Sequence, residues 1–496
     1  MSTNGNKLTH VSGTFLVQAD GAFLNGAGID KRREDKNTTV PKTYRDGIGN
    51  RVPYVSAQAW RRWLRNTLIE ETGWPASELR AIDLSEKGTT NKIAGELNPV
   101  DYAEDDIFGY MRAAKGQGRE SVSDDGENSA EEQLRQEQVK LFNKATKDIK
   151  IFQTGRRRSG KTTKEITNEE RIKLAKEVVA DLQTETERRS KQEDEAFDEQ
   201  VVDKLASIAH VLQEEADIKA ALPRIRESLV DVMQAFNPGR LKALMRASPF
   251  ASSLLVSVRR KGWEGLDNGF VHLKEGTPLP YNTEFYNTHL QAAFCLDYAR
   301  LGIFWNVGDR IELDEQKAER FLRDHKIRIT QDLKESGKVY EMTNAATERK
   351  KRGAALLQAL AVLRGGAKQA QFGTDVSPKA YVLAGLSCGN PIFNHLFTDD
   401  CGEIAFNTDA FKEVLQDYAD RIVTPVFLGV RAGTLKEHAK IRDLSGWWEV
   451  SKSETTMSGT ATLDGPKKER PQTGVAVEIK VVTPVEAGRC MGELLP

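Results

Sequence analysis

Cysteine is scarce in this chain: four in 496 residues. They stand at Cys295, Cys388, Cys401 and Cys490, and no two form a C-x-x-C pair. That spacing excludes zinc ribbons and thioredoxin-like motifs. It predicts a protein without a disulfide framework, as suits a reducing cytosol. Histidine is scattered too, with no H-x-H or H-E-x-x-H spacing among its seven copies. The acidic pairs Asp105-Asp106 and Asp399-Asp400 read as caps or turns, so no metal site is expected. No run of about 18 apolar residues occurs, and no membrane span is expected. The opening MSTNGNKLTH lacks the basic and apolar regions of a signal peptide. Together these absences predict a cytoplasmic protein. Net charge is missing as well, since 72 Lys+Arg against 73 Asp+Glu leave −1. Total charge therefore points to no nucleic-acid partner, and such a function would have to sit in local patches.

What the chain does have is ordinary globular material, 39% hydrophobic and 29% charged, in a length that suits two or three domains. Residues 8–112 read as folded. The strand-like text THVSGTFLVQADGAFLNGAG ends in the turn dipeptide Asn25-Gly26, and a helix follows from about Ser56. Composition changes at AKGQGRESVSDDGENSAEEQ, where large apolar residues thin out and charges of both signs crowd in. That opening predicts disorder or loose attachment. Helical periodicity returns later. Val201, Val202, Leu205, Ile208 and Leu212 form one stripe, and Ile225, Leu229, Val232, Met233 and Phe236 form a second. Compact mixed text resumes at about 241. The expected organisation is a discontinuous core of 1–112 and 241–450. A charged, mostly helical insertion at 113–240 interrupts it, and a segment at 451–496 adds a polar loop and the strand-like VAVEIKVV. Three consecutive domains are the alternative.

The insertion contains TGRRRSGKTT, in which Gly155, Gly160, Lys161 and Thr162 satisfy the Walker A pattern G-x-x-x-x-G-K-[ST]. A true P-loop cradles phosphates with backbone N–H groups at a strand-to-helix turn. The context argues against one. KDIKIFQ, ahead of the motif, is interrupted by Lys150, whereas buried parallel strands read as continuous apolar runs. Thr167 and Glu170 form a T-x-x-E capping box, which starts the next helix at about 168, too late to serve Thr162. The best Walker B string, AAFCLD at 292–297, sits in NTHLQAAFCLDYARLG, which reads as a helix. The expected reading is a solvated basic loop. Its Arg156, Arg157, Arg158, Lys161 and Lys164 could touch a polyanion. A P-loop ATPase using Gly155–Thr162 is the alternative.

Two other stretches carry more chemistry. In VPYVSAQAWRRWLRNTL, a helical turn of about 100° per residue puts Trp60, Trp63, Leu64 and Leu68 on one face. Gln58, Arg61, Arg62 and Arg65 fall on the other, with Ser56 placed to cap the helix. Between Lys31 and Arg65 ten basic residues face three acidic ones, a local +7. Guanidinium is the side chain suited to phosphate recognition, although a charge run also makes an ordinary solvated face. The second stretch, LRGGAKQAQFG at 363–373, follows the helix-like ATERKKRGAALLQALAVLR. Gly365 can cap that helix. The paired glycines with Lys368, Gln369 and Phe372 also make a loop where a sugar-phosphate chain could approach backbone and a base could stack.

Seven segments in order, LNGAG, PYVSAQAWRRWLR, DIFGYM, RASPF, LQAAFCLDYARLGIF, LRGGAKQAQF and PVFLGVRAG, resemble the DevR-type family of CRISPR-associated proteins. These are the "Cas seven" backbone subunits of type I Cascade complexes, here I-B-like. The resemblance covers about 8–112 and 241–435. It implies an α+β fold: an RRM-like (ferredoxin-like) palm with finger and thumb insertions, to which this chain adds its large charged helical insertion. It implies an RNA-binding subunit that polymerises along a guide (CRISPR) RNA and supports target-DNA recognition through it. The expected partners are that RNA, target DNA, further copies of the chain and other Cascade subunits, with no membrane, catalytic residue, metal or cofactor. By matching motif, the resemblance assigns RNA contact to Asn25, Ser56, Gln58, Arg62, Arg65, Arg246, Gly365, Gly366, Lys368 and Gln369. The insertion departs from the family, in which RASPF follows shortly after DIFGYM. A DNA-binding regulator is a further alternative, with no clear helix-turn-helix to support it.

Overall fold

The computed structural model describes residues 7–29, 37–77, 80–84, 90–94, 96–112, 162–190, 244–271, 279–308, 310–452, 461–471 and 474–496, with short stretches within 144–159 and 205–209. The fold class is α+β. The chain forms two compact units, 1–112 with 244–496, and 113–243.

A fourteen-stranded sheet organises the first unit. Its central strand is β1 (His10–Ala22), and β2 (Arg51–Val55) leads directly into helix α1 (Ala57–Thr72). A short helix α2 (Ala103–Phe108) follows. Later come the hairpin of β3 (Glu264–Val271) and β4 (Leu279–Asp297), helix α3 (Ala345–Ala361) and β5 (Ala380–Leu386). The chain closes with β6 (Val426–Val430), β7 (Gly446–Lys452), β8 (Ala461–Lys467), β9 (Val475–Val482) and helix α4 (Pro484–Leu494). The sheet runs β8-β7-β9-β6-β5-β1-β4, then the short strand 255–257, β2 and 43–45. β1 pairs antiparallel on both sides: His10 lies opposite Asp297 of β4 and opposite Leu386 of β5. Within 451–496, β8 and β9 are part of this sheet, with β9 lying between β6 and β7.

Both faces of the sheet are covered, and the pleat sorts the side chains between them. Phe15 and Val17 of β1 pack with Trp60, Leu64 and Leu68 of α1 and Leu356 and Leu360 of α3. Leu16, between them, packs on the other side with Val382, Phe393, Phe411 and Leu415. β4 corrects an expectation, since NTHLQAAFCLDYARLG reads as a helix. The strand runs to Asp297, and only Tyr298–Arg300 turn, as a short 3-10 helix. Ala292, Ala293, Phe294, Cys295 and Leu296 are all buried. A strand buried on both faces loses its alternation, so periodicity alone cannot separate it from a buried helix.

A second sheet of six strands runs 327–332, 337–342, 303–307, 310–311, 244–246 and 110–112. It covers its own cluster of Phe304, Leu313, Phe321 and Tyr340. Strands 110–112 and 244–246 are antiparallel neighbours with Leu244 opposite Arg112. The chain thus leaves for the 113–243 unit and returns from it at paired backbone positions.

In that unit, strands Arg156–Ser159 and Thr162–Glu165 form a hairpin, and helix Asn168–Ser190 follows. The expected capping box is present: Glu170 N donates to Thr167 Oγ1 at 3.2 Å, and Thr167 N donates to Glu170 Oε2 at 2.8 Å. Leu205 and Ile208 are buried helical residues, as their stripe requires. The charged opening after Arg112 and the stripe from Ile225 to Phe236 lie outside the described residues.

Candidate nucleic-acid interface

Helix α1 begins where expected, with Ser56 as the N-cap residue in extended conformation, but its side chain makes no capping hydrogen bond. Asn25 supports this end instead, its Oδ1 accepting from Ser56 N at 3.2 Å. The apolar face is buried through Trp60, Leu64 and Leu68, and Trp63 is half-buried.

The polar face divides. Arg61 is drawn inward, donating to Phe108 O and Ser248 Oγ, both at 2.8 Å. Burial, with the Arg65 charge nearby, holds its pKa below the usual guanidinium range. Arg65 pairs with Glu104 at 3.0 Å and lies over the Phe108 ring at 5.4 Å. Both arginines therefore fasten α1 to α2. Gln58, Arg62 and Asn66 stay exposed. Their spacing of four residues aligns them in a strip along the helix. A groove of about 400 Å³ beside it is lined by Arg62, Arg65, Asn66, Ser77 and Glu104. Asn66 is missing from the sequence-derived set. The signal for it was its i, i+4 place after Arg62.

The 363–373 loop borders the other side of α1. Thr67 Oγ1 accepts from Arg364 N at 3.1 Å, and Arg364 pairs with Glu71 at 2.7 Å. Helix α3 ends at Ala361 with Val362 as its cap, so Gly365 is not the helix cap that the sequence suggests. Its reason for being glycine is different. At φ 145 a Cβ on Gly365 would lie 2.6 Å from Trp63 Cβ, and at φ 109 a Cβ on Gly366 would lie 2.6 Å from Leu24 Cδ2. The loop backbone is thus pressed onto the middle of α1 and the end of β1, and Ala367 N donates to Leu24 O at 3.0 Å. Gln369 Nε2 donates to Gly365 O, closing the turn.

Lys368 turns towards the β3–β4 hairpin. Its Nζ donates to Thr283 Oγ1 at 2.6 Å and lies 5.0 Å from the Phe23 ring centre. Burial lowers its pKa, with Asp267 pulling the other way. Gln371 donates to Asp267 at 2.6 Å, and Phe372 packs against Phe285 with ring centres 5.9 Å apart. The residues Phe23, Thr283 and Phe285 carry no motif of their own, and only the fold brings them here.

Nine of the ten expected contact residues therefore lie along α1, the end of β1 and the glycine loop. Arg246 lies elsewhere. Its guanidinium has no exposed surface and is shared between Asp106 and Glu312 Oε2, the latter at 3.1 Å. Asp106 also holds Arg352 at 2.7 Å, and Glu312 also holds Arg300 at 2.7 Å. Arg246 is the centre of a buried ion cluster and offers no donor to an RNA in this structure. Asp106, read from the sequence as a cap or turn, is part of the same cluster.

The Walker-like string is not a strand-to-helix turn. Thr162 opens a strand antiparallel to Arg156–Ser159, and Ser159 lies opposite it. Lys161 and both glycines of the string fall outside the described residues. AAFCLD is a strand ending in Asp297, as a Walker B strand would, but it runs antiparallel to β1. A further string, Gly385-Leu386-Ser387-Cys388-Gly389, fits the G-x-S-x-G pattern of a nucleophile elbow. Such an elbow needs a helix after the serine, whereas 387–396 form turns and irregular backbone. Ser387 Oγ faces Arg421 O at 3.4 Å. Among the described residues no helix is long and apolar enough to cross a membrane.

No family model and no curated protein matches the chain. Two similar solved chains are described as "CRISPR RNA-guided surveillance complex, pre-nicking" and "CRISPR RNA-guided surveillance complex". The first is 11% identical with a TM-score of 0.34, covering 98% of this chain and 100% of that one. The second is 11% identical with a TM-score of 0.32, covering 86% and 91%. Likeness at this level fixes neither fold nor function.

Proposed function

We propose that this chain is a guide-RNA-binding backbone subunit of a type I CRISPR effector complex, DevR-type and I-B-like. In this reading several copies lie along one RNA beside other Cascade subunits in the cytoplasm. Base pairing by the RNA, not the protein, reads target DNA. The chain contributes no catalytic step and needs no cofactor.

The observation that carries the reading is the exposed strip Gln58, Arg62 and Asn66 beside a loop whose glycines press it onto α1 and β1. Donors of this kind hold phosphates without choosing a sequence. Asn25 spends its side-chain oxygen on Ser56 N and keeps its amide nitrogen as a further donor. Two features of the fold agree. The chain order β1, α1, 255–257, β4, α3, β5 is the β-α-β-β-α-β order of a ferredoxin-like palm, and β3–β4 suits its thumb. β1 and β5 are buried on both faces, which closes the sheet surface where an RRM stacks bases. In this reading RNA lies on α1 and the loop instead.

The test is purification of the full chain from its native host, with nuclease digestion of whatever nucleic acid comes with it. RNA that resists DNase and yields to RNase is expected. Protein free of nucleic acid, or carrying only DNA, overturns the reading.

A further inference from the structure

The outer face of the six-stranded sheet carries a patch that the RNA site does not use. Phe304 is buried in the cluster under this sheet, and the Arg246 guanidinium lies 4.8 Å from its ring centre, so both belong to the inner face. Alternation along each strand then puts Trp305 and Met245 on the outer face, and Met111 joins them as the ladder partner of Met245. Met111 is 69% exposed, Met245 42% and Trp305 37%. Cations surround this apolar surface. Arg300 and Arg310 lie 3.9 and 4.6 Å from the Trp305 ring centre. Both pair with Glu312, which also holds Arg246, so one carboxylate serves three guanidiniums. Glu341 on the same sheet is shared as well, between Arg328 at 2.8 Å and Arg349 at 3.6 Å. Arg300 Nη1 is buried and has no hydrogen-bond partner among the described residues.

We infer that this face docks a protein segment carrying both acidic and apolar side chains. The surplus of guanidiniums over carboxylates calls for acidic groups from the partner. Trp and Arg are the side chains that most often anchor protein interfaces, and methionines adapt their shape to an apolar partner. A nucleic acid would also answer the charge, but it needs aromatic rings free for stacking. The Trp305 ring already carries two guanidiniums. The other aromatics of the sheet turn inward: Phe304 and Tyr340 are buried in the cluster, and Tyr110 donates to Glu312 O. The surface belongs to the first unit and does not rest on the guide-RNA reading.

The test selects a random peptide library, displayed on phage, against immobilised full-length protein. The library is first depleted on Met111→Glu, which removes peptides for other surfaces. Enriched peptides should hold more Asp and Glu than Lys and Arg, with apolar residues among them. Their Kd, read by fluorescence anisotropy, should rise about tenfold or more in Met111→Glu, which sets a carboxylate against theirs. It should change little in Met111→Leu, and little in Met111→Lys, whose stem covers apolar surface while its charge suits the ligand. A fold defect would strike the Glu and Lys variants alike, since both place a charge at the same exposed position. RNA retained through purification should be the same in all four proteins. No enrichment, or enriched peptides that are basic or uncharged, overturns the proposal. So does an equal loss of affinity in the Glu and Lys variants. RNA lost from Met111→Glu alone overturns it in favour of a nucleic-acid surface. A failure of the guide-RNA reading would show instead as wild-type protein purified without RNA.

Discussion

Asp106 and Glu104 stand two positions apart on α2 and use arginine in different ways. Asp106 shares Arg246 and Arg352 in a cluster with no exposed surface on Arg246, Asp106 or Glu312. Removing one partner from such a cluster strands the others. Arg246→Ala should therefore cost about 3–5 kcal/mol of unfolding free energy by denaturant titration. A loss near zero would mean that the cluster is not as buried as described. Glu104 holds Arg65 at the groove edge. Burial raises its carboxyl pKa above 4.5 despite the opposing pull of Arg65 and Ser77 N. A raised folded pKa means that Glu104 favours the fold most below the unfolded value, and that this contribution is lost as pH rises through the folded value. Wild type should lose stability relative to Glu104→Gln as pH rises from about 4 to 7. Releasing Arg65 should also steepen the RNA salt slope of the variant by about 0.7. A stability difference that does not change with pH would contradict this.

At the scale of elements, the glycine loop is the most exacting part of the proposed site. Gly365→Ala puts a methyl group against Trp63 and a side chain at φ 145, a strain on the order of 1–3 kcal/mol. It should weaken RNA binding and lower the melting temperature together. Full RNA affinity in this variant would show that the loop is not pressed onto α1 when RNA is held. Helix α1 was legible in the sequence because its tryptophans and leucines repeat at the helical period with polar residues between them. What periodicity could not show was which arginines of the polar face would be spent inside the protein. Arg61 and Arg65 go to α2, and Arg51 goes to Glu284 at 2.7 Å. These partners come from distant sequence, so of the three arginines on α1 only Arg62 stays exposed. β4 was misread because burial on both faces erased its alternation. Arg246 was misassigned because a motif carries no burial.

For the whole molecule, the pairing of Arg112 with Leu244 invites a direct cut. Replacing 113–243 by Asn-Gly would turn the two strands into a tight hairpin. The shortened protein should unfold cooperatively and retain RNA. An insoluble product would show that the two units do not fold independently. The composition change near 113 marked one boundary in the sequence, but the juxtaposition of the two ends needed the fold. The central claim is that α1 holds RNA by its phosphates, and equilibrium binding of several unrelated single-stranded RNAs over a salt series tests it most directly. Arg62→Ala, a change at an exposed position, should weaken every sequence alike and flatten the log–log slope by about 0.7. An affinity indifferent to salt, or a loss confined to one sequence, would contradict the account.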